Sequence, residues 1–202
     1  MYIQEGEVIN LEKIKIDDIT RFSYISGLEY SHDGKYACFV VHKANVEQND
    51  YDSNLWLYQA EGGRYSQLTS MMKERGFTWL LDNEHLVFSS VREQKDQERK
   101  SKGEVFTTYY KINIHGGEAV KFIEVPLAAQ SITQIDEKRF LLIATYNPAR
   151  VDLATLDEQA RNQALQQLKE DQDYEVLEEI PYWSNGTGFI SGNRSRVYLY
   201  DF

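Results

Sequence analysis

Two groups of residues have the types and the proximity to bind a substrate. Glu178 and Glu179 set two carboxylates side by side, and Asn185, Arg194 and Arg196 bring an amide and two guanidinium groups together around the stretch NGTGF. Paired carboxylates can make charge-assisted hydrogen bonds to an ammonium group. An arginine can clamp a carboxylate or a peptide carbonyl. A plainer reading stands beside each. Glu178-Glu179 precedes Ile180-Pro181 in what reads as an extended segment, which would send the two side chains to opposite faces. Either arginine can equally pair with one of the chain's 32 acidic residues.

The residues that would break a bond are missing. A serine hydrolase of the nucleophile-elbow kind carries G-x-S-x-G, whose strained turn exposes the hydroxyl, and no such string occurs. The nearest, Gly188-Phe189-Ile190-Ser191-Gly192, has the wrong spacing and reads as a tight turn between strands. His32, His42, His85 and His115 fall in turns or at strand ends without metal-ligand spacing, so no metal and no cofactor are expected. Cys38, the one cysteine, lies inside the apolar run YACFVV and reads as a small buried hydrophobe.

The elements that must hold these residues repeat along the chain. GLEYSHDGKYACFVVHK reads as a strand, a turn at Asp33-Gly34 and a second strand apolar on both faces, and SNLWLYQAEGGRYSQLT adds two strands around Gly62-Gly63. The pattern returns with a turn at Asp82-Asn83 and another at Gly116-Gly117. It starts a third time at Asp136-Glu137 and resumes in RVYLYDF. Units of this size, on the order of 50 residues, are the length of propeller blades. Strands apolar on both faces need a cover on each side, which stacked blades give one another.

The fold class expected is therefore all-β, a partial β-propeller of about three four-stranded antiparallel blades with one helical insertion in the third. Blade 1 takes about 22–70, blade 2 about 76–126 and an incomplete blade 3 about 128–202, in a single segment. A β-sandwich with long loops fits the same turn spacing.

Long connections fall between the second and third strands of each unit, all on one face, where loops on a rigid scaffold build function. The first is HKANVEQNDYDS. The second, from Arg92 to Glu104, is highly charged and reads as a mobile, solvated excursion. The third holds a helix at about 155–170, with Thr155 and Glu158 spaced as a capping box. Leu153, Leu156, Ala160, Ala164 and Leu168 make its apolar stripe, either packing on the blade or docking another domain.

A net charge of −10 disfavours a phosphate backbone, so no nucleic-acid partner is expected. The N-terminus has no signal-like pattern and no run is long enough to span a bilayer. A cytoplasmic chain with no membrane partner is the expectation.

IDDITRFSYISGLEYSHDGKYACFVVHKAN, SNLWLYQAEGGRYSQLT and above all EIPYWSNGTGFISGNRSRVYLYDF resemble the N-terminal propeller of prolyl-oligopeptidase-family serine peptidases, in particular the acylaminoacyl-peptidase-like branch. His32 stands where that family usually has a proline. The resemblance implies a propeller that gates and orients peptide substrates for a C-terminal α/β-hydrolase domain, absent from this chain, which carries the Ser, Asp and His triad. It also implies a role for Glu178 and Glu179, since some dipeptidyl peptidases of the superfamily bind the substrate's free α-amino group with a propeller glutamate pair. By itself the chain should be inactive. A non-catalytic module for protein–protein interaction is the alternative. Because an unclosed ring exposes apolar blade faces and a bare edge, a homo-oligomer through those edges is expected.

Overall fold

The turns that punctuate the sequence close hairpins by one repeated device. In the computed structural model, which describes residues 13–148, 151–171, 183–184, 188–189 and 192–202, Asp33, Asp82 and Asp136 each begin a tight turn. Each Oδ1 accepts the backbone N–H two residues on, from Lys35 at 3.1 Å, Glu84 at 2.9 Å and Lys138 at 3.0 Å. Such side-chain-to-backbone bonds are why aspartate favours turns. The first turn needs a left-handed residue and has Gly34 at φ 71°, while the second uses Asn83 at φ 60°. The two are in contact, Asp33 N–H donating to Asn83 Oδ1 at 3.1 Å.

Three antiparallel sheets result. The first runs β1 (Ser23–Tyr30), β2 (Tyr36–Asn45), β3 (Asp50–Gln59), β4 (Arg64–Gln67), in chain order. The second repeats that order with β5 (Thr78–Trp79), β6 (His85–Ser89), β7 (Thr107–Asn113) and β8 (Val120–Val125). The third begins with β9 (Ala128–Gln134) and β10 (Arg139–Tyr146). After a small hairpin of β11 (Trp183–Ser184) and β12 (Gly188–Phe189), β13 (Arg194–Asp201) joins it in the order β13-β10-β9. Two helices interrupt the strands, α1 (Gln94–Ser101) between β6 and β7 and α2 (Glu158–Glu170) after β10.

The second sheet is apolar on both faces. Leu86, Phe88, Tyr110 and Ile112 pack against Cys38, Val40, Leu55 and Leu57 of the first sheet. Val87, Tyr109, Ile123 and Val125 pack against Ile132, Phe140 and Leu142 of the third. Alternation along a strand sends neighbours to opposite faces, so each face of the second sheet meets a different neighbour. Sheets of consecutive strands stacked this way make an all-β, propeller-like fold, unlike a sandwich whose chain crosses between its two sheets. Cys38 is fully buried, and burial pushes its thiol up.

The outer face of the third sheet is exposed among the described residues. On the third sheet Leu141 pairs with Leu199 and Ile143 with Val197, and all four are exposed.

Three local expectations are corrected. The first long connection is mostly strand: β2 continues to Asn45 and β3 starts at Asp50, leaving a four-residue turn, because the register carries on through Asn45↔Asp50 and Asn45 Nδ2 donates to Asp52. Arg92 to Glu104 is not a solvated excursion but contains α1, with Asp96 fully buried. The cap of α2 is Asp157, which accepts Ala160 N–H at 2.8 Å, while Thr155 closes a short 3-10 turn at Leu153–Thr155. Asp157 immediately precedes the first helical residue, so its side chain, and not the Thr155 hydroxyl, is placed to accept the N–H of the third helical residue. Leu153, Leu156, Ala160, Ala164 and Leu168 form a half-buried face.

Candidate functional site

Strands that run up and down place the β2–β3, β6–β7 and β10–β13 connections on one face, together with the links from sheet to sheet. Two of these connections carry helices, and Arg99 of α1 ties them together. Its guanidinium reaches Asp96 Oδ1 at 3.1 Å, Glu104 Oε1 at 2.7 Å and Glu124 Oε1 of β8 at 2.9 Å. Its Cζ lies 3.7 Å from the centre of the Phe106 ring. Arg161 of α2 then reaches Glu104 Oε2 at 3.1 Å. Glu124 also receives Lys121 Nζ at 2.6 Å.

These contacts set the acids' protonation. The hydrogen bond from Arg99, with that from Lys121, holds Glu124 down at about 2. Arg99 also holds Glu104 below the usual carboxylate range. Both acids are therefore anionic at neutral pH.

Beside it lies a cavity of about 470 Å³, between Arg99, Glu104, Leu127, Tyr146, Leu153 and Arg161. It carries two arginines, two acids, Glu104 and Asp152, and apolar wall, a mixture suited to a zwitterionic or peptide ligand. Arg196 comes to its rim: the guanidinium sits 4.8 Å over the ring of Tyr146, and Arg196 pairs with Ala144 across β10 and β13. Arg194 lies opposite Tyr146 in the same register and donates to the Asn193 carbonyl at 2.8 Å. The structure thus brings two of the five sequence-predicted residues to one end of β13, next to the cavity. Glu178, Glu179 and Asn185 lie outside the described residues, as does Ser191.

Sequence reasoning did not single out Arg99, Glu104 or Arg161. It also missed a hydrogen-bonded chain in the first sheet, where Ser26 Oγ lies 2.6 Å from His42 Nε2 and Ser53 Oγ lies 2.8 Å from Nδ1. Burial pulls His42 below its ordinary value, with the Arg75 charge adding to the effect. A neutral imidazole touching a serine has the first two parts of a nucleophilic triad, but a hydroxyl, Ser53, stands where the triad has its orienting carboxylate. No motif marks the pair, because strand register alone brings them together. Among the described residues no group of His, Cys, Asp and Glu could hold a metal, and no helix is long and apolar enough to cross a membrane.

No family model matches the chain. An uncharacterized peptidase of Bacillus subtilis (strain 168), YuxL, is 30% identical over 114 residues, which are 56% of this chain and 16% of that protein. Among solved structures, an acylaminoacyl peptidase in complex with Z-Gly-Gly-Phe-chloromethyl ketone superposes with a TM-score of 0.60 at 18% identity, covering 92% of this chain and 24% of the other. The Pyrococcus horikoshii acylaminoacyl peptidase in its orthorhombic crystal form gives 0.60 at 16% identity, with the same coverage. The chain thus spans about a quarter or less of the length of the proteins it matches. In fold this chain is similar to about a quarter of an acylaminoacyl peptidase, and a 114-residue stretch is similar in sequence to an uncharacterized peptidase.

Proposed function

We propose that the three sheets are successive blades of a propeller in a serine peptidase, and that this segment gates and orients peptide substrates for an α/β-hydrolase domain elsewhere in the protein. The observation that carries the reading is the superposition on acylaminoacyl peptidase over 92% of this chain, joined to the placing of both helices on one face. On this reading Arg194 and Arg196 guide peptide carbonyls or carboxylates past the cavity rim, Asn185 assists in holding the peptide, and Glu178 and Glu179 take the substrate's α-amino group. Chemistry stays with the hydrolase domain, which would pack against the face that carries the connections.

Gating is tested by size discrimination. In the peptidase that carries this segment, replacing 153–171 with a short Gly-Ser linker should raise kcat/KM for long acyl-peptides and leave that for an acyl-dipeptide unchanged. An equal change for both lengths contradicts gating.

A non-catalytic binding module is the second reading, favoured by the exposed apolar residues Val197 and Leu199. The same exposed residues support self-association through the third sheet, and the proposal places this chain in the cytoplasm.

A further inference from the structure

Each sheet has a leading face, turned toward the sheet before it, and a trailing face, turned toward the sheet after it. Both follow one register. Four and six residues past the turn aspartates Asp33, Asp82 and Asp136 stand Ala37 and Phe39, Leu86 and Phe88, and Phe140 and Leu142, on the leading faces. Five residues past them stand Cys38, Val87 and Leu141, on the trailing faces. We propose that two copies of this chain associate by docking the trailing face of each third sheet on the leading face of the other copy's first sheet.

The junction already formed inside the chain shows what a trailing face accepts. On the first sheet that face is two cross-strand aliphatic pairs, Cys38 with Leu57 and Val40 with Leu55. Leu86, Phe88, Tyr110 and Ile112 of the second sheet cover it, with Phe88 and Tyr110 paired across β6 and β7 and their rings stacked 6.3 Å apart. The third sheet repeats the same trailing face in the same register, as Leu141 with Leu199 and Ile143 with Val197. Here Val197 is 67% exposed and Leu199 is 60% exposed.

The first sheet supplies the matching half. Its leading face pairs Phe39 with Trp56 and Tyr58 with Tyr65, an aromatic ladder of the kind that Phe88 and Tyr110 make in the second sheet and Phe140 and Tyr200 in the third. Phe39, Trp56 and Tyr58 are half-buried, and Tyr65 is 71% exposed with its ring 6.3 Å from that of Trp56. Ile25, opposite Val41, extends the face and is exposed. Tryptophan and tyrosine are the usual anchors of a protein contact. One chain cannot join its own two faces, because the second sheet lies between the first and the third. A second copy can. Under two-fold symmetry each third sheet meets a first sheet, both junctions form together and neither face is left over, whereas one junction alone would leave a face of each kind free for open-ended growth.

This deepens and rests on the self-association through the third sheet proposed above, and it is independent of peptide handling. Sedimentation equilibrium of the full chain, of Leu199→Lys and of Tyr65→Lys is the experiment, with circular dichroism to check that each variant folds. The parent should be a dimer that grows no further with concentration. Each lysine, placed against an apolar face of the other copy, should weaken dimerisation at least about tenfold. Mixed in equal amounts, the two variants should associate more tightly than either alone, because the mixed pair keeps one undamaged junction. Val197→Lys and Ile25→Lys stand in for a variant that does not fold. A monomeric parent would overturn this inference and the self-association together. Tyr65→Lys and Ile25→Lys that dimerise like the parent while Leu199→Lys does not would overturn this inference alone, since the third sheets would then meet each other. Assemblies that lengthen with concentration would overturn the closed pair.

Discussion

Arg99 shows how one side chain can organise a face. It bridges acids from its own helix, from the loop that follows and from β8, and through Glu104 it meets Arg161 of α2. Glu124 is moved from its ordinary 4.5 to about 2, so its charged form is favoured by folding. That contribution is full above about pH 4.5 and is lost as pH falls toward 2, the sign for a depressed acid. The shift corresponds to about 3 kcal/mol as an upper bound. Urea unfolding of the parent and of Glu124→Gln from pH 6 to pH 2.5 should show the parent losing more of its stability in that window. Parallel losses would mean that Arg99 does not hold Glu124 as described.

The second sheet is the element on which the rest is built, since its two faces anchor both clusters. Phe88 is 1% exposed, between β7 and the first sheet. Phe88→Ala should destabilise by about 3–5 kcal/mol, and amide exchange should be slowest in β6 and β7 and fastest in β1 and β13. Equal protection in β1 and β6 would contradict the stacking. The sheets themselves were legible in the sequence because their turns depend on local chemistry: Asp-Gly, Asp-Asn and Gly-Gly turns form by their own backbone preferences. Helix α1 was not legible. QKDQERKS has no apolar stripe, and what fixes it is an ion pair to Glu124, distant in sequence. The candidate site was half legible for the same reason. Arg194 and Arg196 stand out beside a turn, whereas Ser26 and His42 gain meaning only from strand register.

At the scale of the molecule the exposed face of the third sheet matters most. Leu141, Ile143, Val197 and Leu199 form an apolar patch on a sheet whose β13 has no partner on its outer edge among the described residues. Such a patch favours association, and light scattering on the purified chain should show an oligomer that Leu199→Lys shifts toward monomer. A monodisperse monomer at high concentration would count against this. The central claim is that the chain handles substrate while another domain does the chemistry. Treatment of the purified 202-residue chain with a fluorophosphonate probe, alongside an acyl-peptide hydrolysis assay, tests it most directly. The account predicts no labelled serine and no hydrolysis; stoichiometric labelling of Ser26 or Ser191, with turnover, would contradict it.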